Sequence, residues 1–130
     1  MILDTDFLID VMEGDRDALK RKDKLNEDRE NYRTTALSVF ELWFGITMSK
    51  KPDGEKAKIF SVLRGIDTVK LSREAAEKAG EIHGSLTKKG ESIGAIDSMI
   101  AAIALLENEP VLTGNSKHFS RVAGLKIETY

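Results

Sequence analysis

Residues 92–112 read SIGAIDSMIAAIALLENEPVL, and a change of pattern inside this stretch decides the fold. The apolar residues up to about Asn108 form a helical run, whereas Pro110 to Thr113 reads as a short strand. One carboxylate, Asp97, sits near the beginning of the helix. A charge among so many Ile, Ala and Leu side chains is costly unless something offsets it. The nearly apolar run from Ile93 to Leu106 is too short to span a bilayer, and it contains Asp97. A first-turn position places Asp97 at the rim, with Met99, Ile100, Ile103 and Leu106 expected to enter the core.

The helix-to-strand alternation extends in both directions. Met1 to Asp4 predicts a minimal strand, followed by a helix with Phe7, Leu8 and Val11 on one face. Asp15 to Glu30 is charge-dense and predicts a mostly solvated helix, in which Lys20, Arg21, Lys22 and Lys24 could touch phosphates. Tyr32 to Leu37 predicts a second strand, after which Ser38 opens a helix through Leu42, Trp43 and Ile46 toward Lys50. Further helices are expected at Glu55 to Leu63, at Arg73 to Lys88 after a Ser72 cap, and around Phe119. Ile66 to Leu71 and Leu125 to Thr129 complete the strands. Strands separated by helices predict one domain over residues 1–130, an α/β/α three-layer sandwich with a mostly parallel sheet of four to five strands.

Composition narrows the function classes. The chain has 130 residues, 41% of them hydrophobic, enough for a single real core. It has no Cys, which excludes disulfides and thiolate metal sites. The start, MILDTD, carries neither a basic region nor a long apolar segment, so a soluble, cytoplasmic protein with no membrane association is expected. A net charge of −2 supplies no global field for nucleic acid, so any polyanion would need local basic patches.

In parallel α/β sheets the working site lies beyond the carboxyl ends of the strands. Asp4 ends the first strand, Asp6 follows it, and Glu41 is expected in the first turn after the second strand. Asp97 opens its helix, and Asn115 follows the fourth strand. Converging carboxylates repel one another unless they are protonated or bridged by cations. Oxygen-only ligands suit a hard ion such as Mg²⁺ or Mn²⁺, and two well-separated histidines, His83 and His118, argue against zinc. Each residue also has a plainer role. Ser38 and Glu41 fit a capping box, and Asp97 favours its helix dipole. Asp4 and Asn115 can cap the helices that follow them, and Asp6 reads as a supporting polar group. Thr113 can satisfy backbone or orient a bound water, and His118 reads as a surface or packing residue.

Four segments carry a family resemblance: ILDTDFLID (2–10), SVFELWFGI (38–46), IGAIDSMIAAIAL (93–105) and VLTGNSKHFSRVAGLKIE (111–128). In their order and separation they resemble PIN-domain proteins, specifically the VapC group of toxins. The resemblance implies an α/β/α fold and a Mg²⁺- or Mn²⁺-dependent endoribonuclease leaving 5′-phosphate and 3′-hydroxyl ends. It places Asp4, Glu41 and Asp97 on the metal-binding positions and implies a homodimer with a cognate VapB-type antitoxin, for which the face around Leu42, Trp43 and Ile46 is a candidate. The family often adds a fourth acid in the closing motif. Here Thr113, Asn115 and His118 stand there instead, which bears on a second ion and leaves Asp6 to supply some of the charge. Lys117 and Arg121 are candidate phosphate contacts. The competing reading is a PIN-fold module that binds RNA or an antitoxin without cutting.

Overall fold

The computed structural model describes residues 1–130. Its elements are β1 (Ile2–Leu3), α1 (Thr5–Met12), α2 (Arg16–Glu27), β2 (Arg33–Thr35), α3 (Ala36–Thr47) and α4 (Pro52–Leu63). These are followed by β3 (Asp67–Val69), α5 (Arg73–Lys88), α6 (Ala95–Glu107), β4 (Val111–Leu112), α7 (Ser116–Phe119) and β5 (Ile127–Glu128). The strands form one sheet in the order β3-β2-β1-β4-β5, and every neighbouring pair is parallel.

The alternation of a strand sends successive side chains to opposite faces, and here it divides the core in two. Leu3 and Leu112 join Phe7, Leu8, Leu25, Leu42, Ile46 and Ile59 under α1 to α4. Ile2 and Val111 join Ile100, Ala101, Ala104 and Phe119 under α5 to α7. The expected three-layer sandwich with a parallel sheet is the architecture observed, with five strands. No helix is long and apolar enough to cross a membrane.

The strands are shorter than the sequence predicts, and at the first two strand-to-helix junctions capping chemistry takes over at the strand end. Asp4 Oδ1 accepts a hydrogen bond from the Thr5 amide at 2.8 Å, which turns the chain into α1. At the second junction Thr35, not Ser38, is the N-cap: its hydroxyl accepts from the Ser38 amide at 3.2 Å. The capping box expected at Ser38 and Glu41 is therefore replaced. Helix α3 begins at Ala36, which moves Glu41 into its second turn. Pro52 starts α4 earlier than expected, in the first helical position that suits proline. Ser72 caps α5 as expected, its Oγ accepting from the Ala75 amide.

Helix α6 starts after Gly94, whose φ of +88° requires glycine's freedom, and ends at Asn108 in the left-handed region. Ile100 and Ile103 are buried as expected, whereas Met99 is half-buried and Leu106 points outward. Small side chains at Ala75 and Ala79 of α5 and at Ala101 and Ala104 of α6 let these helices pack along their length.

At the amino edge of the sheet, Arg33 forks between Glu107 (2.9 Å) and Glu109 (2.7 Å). Burial pushes the Glu109 carboxyl up, but hydrogen bonds from Arg33 and from the Met1 amino group outweigh it, so the net shift is downward. A carboxyl lowered in the fold contributes stability above its unfolded value of 4.5, and loses it as pH falls through the lower folded value. Wild type should therefore exceed Glu109→Gln in thermal midpoint at neutral pH, with the gap closing as the solution is acidified below 4.5. Midpoints that run parallel through that range would show that the ion pair carries no linked stability.

Candidate metal centre

The parallel sheet delivers its carboxyl ends to one rim, and the acids collect there. A cavity of about 230 Å³ is lined by Asp4, Thr5, Asp6, Ile9, Glu41, Asp97 and Asn115. No Lys or Arg lines it. Asp4 comes from the end of β1, Glu41 from α3, Asp97 from the first turn of α6, and Asn115 from the turn after β4.

Hydroxyls hold two of the carboxylates, Asp4 and Glu41. Asp4 is 4% exposed, with Oδ2 accepting from Thr113 Oγ1 at 2.7 Å. That threonine oxygen also accepts from the Asn115 amide at 2.8 Å. Its single hydrogen is committed to Asp4, so the 3.4 Å approaches to both Asp6 oxygens carry no further donor. Thr5 Oγ1 donates to Glu41 Oε1 at 2.6 Å and lies 3.0 Å from Ser38 Oγ. Asp97 Oδ2 is 3.4 Å from His118 Nδ1, which also meets Asn115 Nδ2 at 2.9 Å.

The electrostatics show what this arrangement lacks. Burial, followed by the charge of Asp6, pushes the Asp4 carboxyl up to about 8. Burial raises Glu41 as well, against the hydrogen bond from Thr5. Burial also raises Asp97, against the pull of His118. Within the protein alone, these groups cannot all be comfortably ionised. A divalent cation removes the conflict, and a donor set of carboxylates with one amide oxygen has the chemistry of a hard ion.

The acids ring the cavity without closing on one point, and no three His, Asp or Glu side chains stand near enough to grip a bare ion. A Mg²⁺ ion usually keeps several waters and takes only one or two carboxylates. The cavity has the volume for such waters, each occupying about 30 Å³ in the liquid. The residues present therefore fit a hydrated divalent ion.

The structure brings together Asp4, Asp6, Glu41, Asp97, Thr113 and Asn115. Lys117 and Arg121 are not brought to them. Lys117 is exposed outside the cavity lining, and Arg121 is turned away, donating to the Glu91 and Ser92 carbonyls at 3.3 Å. Arg21 is likewise occupied, pairing with Glu128 at 2.8 Å. Leu42 and Ile46 are buried, so the open apolar face of α3 is instead Phe40, Phe44 and Met48, with Phe60 of α4 also exposed.

Sequence reasoning passed over Thr5, which clamps Glu41, and read His118, which reaches Asp97, as a surface or packing residue. It also passed over Tyr130, whose ring packs edge-on to Phe7 and whose hydroxyl donates to Asp10 at 2.5 Å. A Cβ at Gly114 would come within 2.8 Å of that hydroxyl and 3.2 Å of Asp6, so the turn after β4 is fitted to glycine. Gly114→Ala should lower the thermal midpoint, and the added Tyr130→Ala change should restore part of the loss. A double variant no better than Gly114→Ala would locate the strain elsewhere.

Comparisons with known proteins agree with this fold. The PIN domain family model matches residues 1–125. A relative from Shigella flexneri, the tRNA(fMet)-specific endonuclease VapC, is 27% identical over 129 residues, covering 99% of this chain and 96% of its own. The Haemophilus influenzae ribonuclease VapC2 is 29% identical with the same coverage. Among solved structures, Rickettsia felis VapBC2 bound to a promoter DNA fragment superposes with a TM-score of 0.89 at 25% identity, covering 99% of this chain and 97% of that one. DNA-bound VapBC from Salmonella typhimurium follows at 0.87 and 25%, covering 98% and 96%. With the family model spanning nearly the whole sequence and VapC ribonucleases as full-length relatives, this chain belongs to the PIN-domain family.

Proposed function

We propose that this chain is a Mg²⁺- or Mn²⁺-dependent endoribonuclease, the toxin of a toxin–antitoxin pair. The observation that carries the reading is the cavity ringed by Asp4, Glu41 and Asp97 with no basic side chain in its lining to balance them. Full-length similarity to relatives named as VapC ribonucleases supports it.

Asp4, Glu41 and Asp97 are the residues that would hold the cation. When bound, such an ion lowers the pKa of a coordinated water and offsets charge on a phosphate undergoing in-line attack. The chain's own residues set the stage for this. Thr113 fixes the Asp4 carboxylate through Oδ2 and the Thr5 backbone amide holds Oδ1, so each oxygen still has a lone pair to offer. The Thr5 hydroxyl fixes Glu41 through Oε1. Asn115 presents a neutral amide at the fourth position, and Asp6 adds charge beside Asp4.

The partner surface follows from burial. Phe40 and Phe44 stack at 6.3 Å and stand 57% and 60% exposed on α3, a patch suited to contact with an antitoxin or a second copy of the chain. Structures similar to this chain contain VapB and VapC together.

Purified protein, freed of any antitoxin, should cut RNA in Mg²⁺ or Mn²⁺ and stop when EDTA is added. RNA left intact under both ions would overturn the assignment as a nuclease. The second reading, an RNA- or partner-binding module without catalysis, is favoured by the neutral Asn115, and calorimetry showing no divalent binding would select it. Asn115→Asp gives a further test. A carboxylate there should tighten divalent binding by about tenfold, a size typical of changes around a metal site. Unchanged affinity by calorimetry would place Asn115 outside the ion's reach.

A further inference from the structure

His118 stands at the edge of the cleft, outside its lining but in contact with two residues that line it, Asp97 and Asn115, and has no part in the proposed chemistry. It is carried by α7, which spans only four residues and is anchored next door by the fully buried Phe119. Its ring is 39% exposed, and its Nδ1 lies 3.4 Å from Asp97 Oδ2. The same nitrogen meets Asn115 Nδ2 at 2.9 Å. An amide nitrogen only donates, so Nδ1 is the acceptor in that contact. In this tautomer the Nδ1 lone pair and Asp97 Oδ2 face each other at 3.4 Å, a pair of lone-pair donors that a cation can bridge. A proton on Nδ1 would join His118 to Asp97 only if the Asn115 amide turned over.

We infer that His118 supplies a nitrogen donor to the cation site, so that the cleft takes a first-row transition ion such as Mn²⁺ or Co²⁺ in preference to Mg²⁺. This rests on the reading of the acid cavity as a cation site. Donors on adjacent corners of an octahedral ion with bonds of about 2.1 Å lie about 3.0 Å apart, close to the observed separation of Nδ1 and Oδ2. Carboxylate, carbonyl and water suit both Mg²⁺ and Mn²⁺, but imidazole is a ligand of the first-row transition ions and not of Mg²⁺. A single nitrogen among oxygens therefore tilts selectivity while preserving the acidic character of the site. The other histidine, His83, lies on α5 with its Nδ1 enclosed and without a hydrogen-bond partner, and it contacts none of the acids.

The test uses untagged full-length protein, stripped with EDTA, without RNA, in a buffer free of coordinating nitrogen. Mn²⁺ is titrated in, and the loss of the free-ion paramagnetic resonance signal reports its affinity directly. Pulsed resonance on the bound ion detects a directly coordinated imidazole by its ¹⁴N coupling. Wild type should show that coupling, and His118→Gln should lose it while keeping its thermal midpoint in EDTA. The same variant should bind Mn²⁺ about tenfold more weakly, with Mg²⁺ affinity, measured by competition, changed less than about threefold. Bound Mn²⁺ without nitrogen coupling in wild type, or equal selectivity in His118→Gln, overturns the role of His118 alone. No Mn²⁺ binding by wild type overturns the cation site and this inference with it.

Discussion

Asp97→Asn is expected to reduce RNA cleavage by about 10³-fold or more, since an ion's electrostatic contribution is worth several kcal/mol and each 1.36 kcal/mol is tenfold in rate. The same change should leave the fold as stable as wild type, or more stable, when both are measured in EDTA. Asp97 occupies the first turn of α6, where a negative charge interacts favourably with the helix dipole by about 0.3–1 kcal/mol, and Asn forfeits this. Against that loss, burial holds the Asp97 carboxyl above its ordinary value, with the charge of Asp6 adding to the rise, and the neutral amide removes both penalties. Asn has nearly the same shape and can turn its amide nitrogen toward His118 Nδ1. Adding Mg²⁺ or Mn²⁺ then separates the two proteins. Wild type should gain stability by mass action, about 2.7 kcal/mol at a concentration of 100 times Kd, and Asp97→Asn should gain far less. A variant that unfolds in EDTA would make Asp97 a structural residue. One that still cuts RNA would remove it from the site.

The sequence carried the parts of this site that depend on chain direction alone. In a parallel sheet every strand-to-helix junction faces one rim, so acids at Asp4 and Asp97 could be placed together before any distance was known. Helix limits set by local chemistry were equally readable: Ser72 caps α5 and Asn108 closes α6. The second junction was misread because Thr35 and Ser38 have the same capping chemistry three residues apart, and β-branched Thr34 and Thr35 also suit a strand. What sequence could not supply is pairing across the fold. Thr5 reaches Glu41 across 36 positions and Thr113 reaches Asp4 across 109, and no local pattern marks either. The outward face of α3 was hidden for a related reason. Leu42 and Ile46 occur among Phe40, Phe44 and Met48, so the helix is apolar on both sides and periodicity cannot say which side the core takes. Arg121 and Lys117 sit in the right segment, but side-chain direction decides their neighbours.

Phe119→Ala should lower stability by about 3–5 kcal/mol, the usual cost of emptying a phenylalanine site, and should weaken divalent binding as well. The first effect follows from burial. Phe119 is fully enclosed among Ile100, Ala101, Ala104, Val111 and Val122 on the α6 side of the sheet. Total stabilities of about 5–15 kcal/mol make this a large fraction, visible as a lower urea midpoint with unchanged slope. The second effect follows from what Phe119 anchors. Helix α7 is four residues long, too short to persist without tertiary contacts, and it carries His118 beside Asp97 with Asn115 at its start. Releasing the anchor frees both polar groups from the rim. Leu25→Ala is the matched control, because Leu25 is equally buried but lies under α1 and α2 in the other half of the core. It should lose comparable stability while binding Mn²⁺ as wild type does, measured where both proteins remain folded. Phe119→Leu, with most of the volume retained, should cost less than about 1.5 kcal/mol and hold its affinity. If Phe119→Ala and Leu25→Ala weaken Mn²⁺ equally, binding tracks overall stability and α7 has no separate hold on the site. If Phe119→Ala alone weakens it, the closing turn is the element through which the core sets the geometry of the acids.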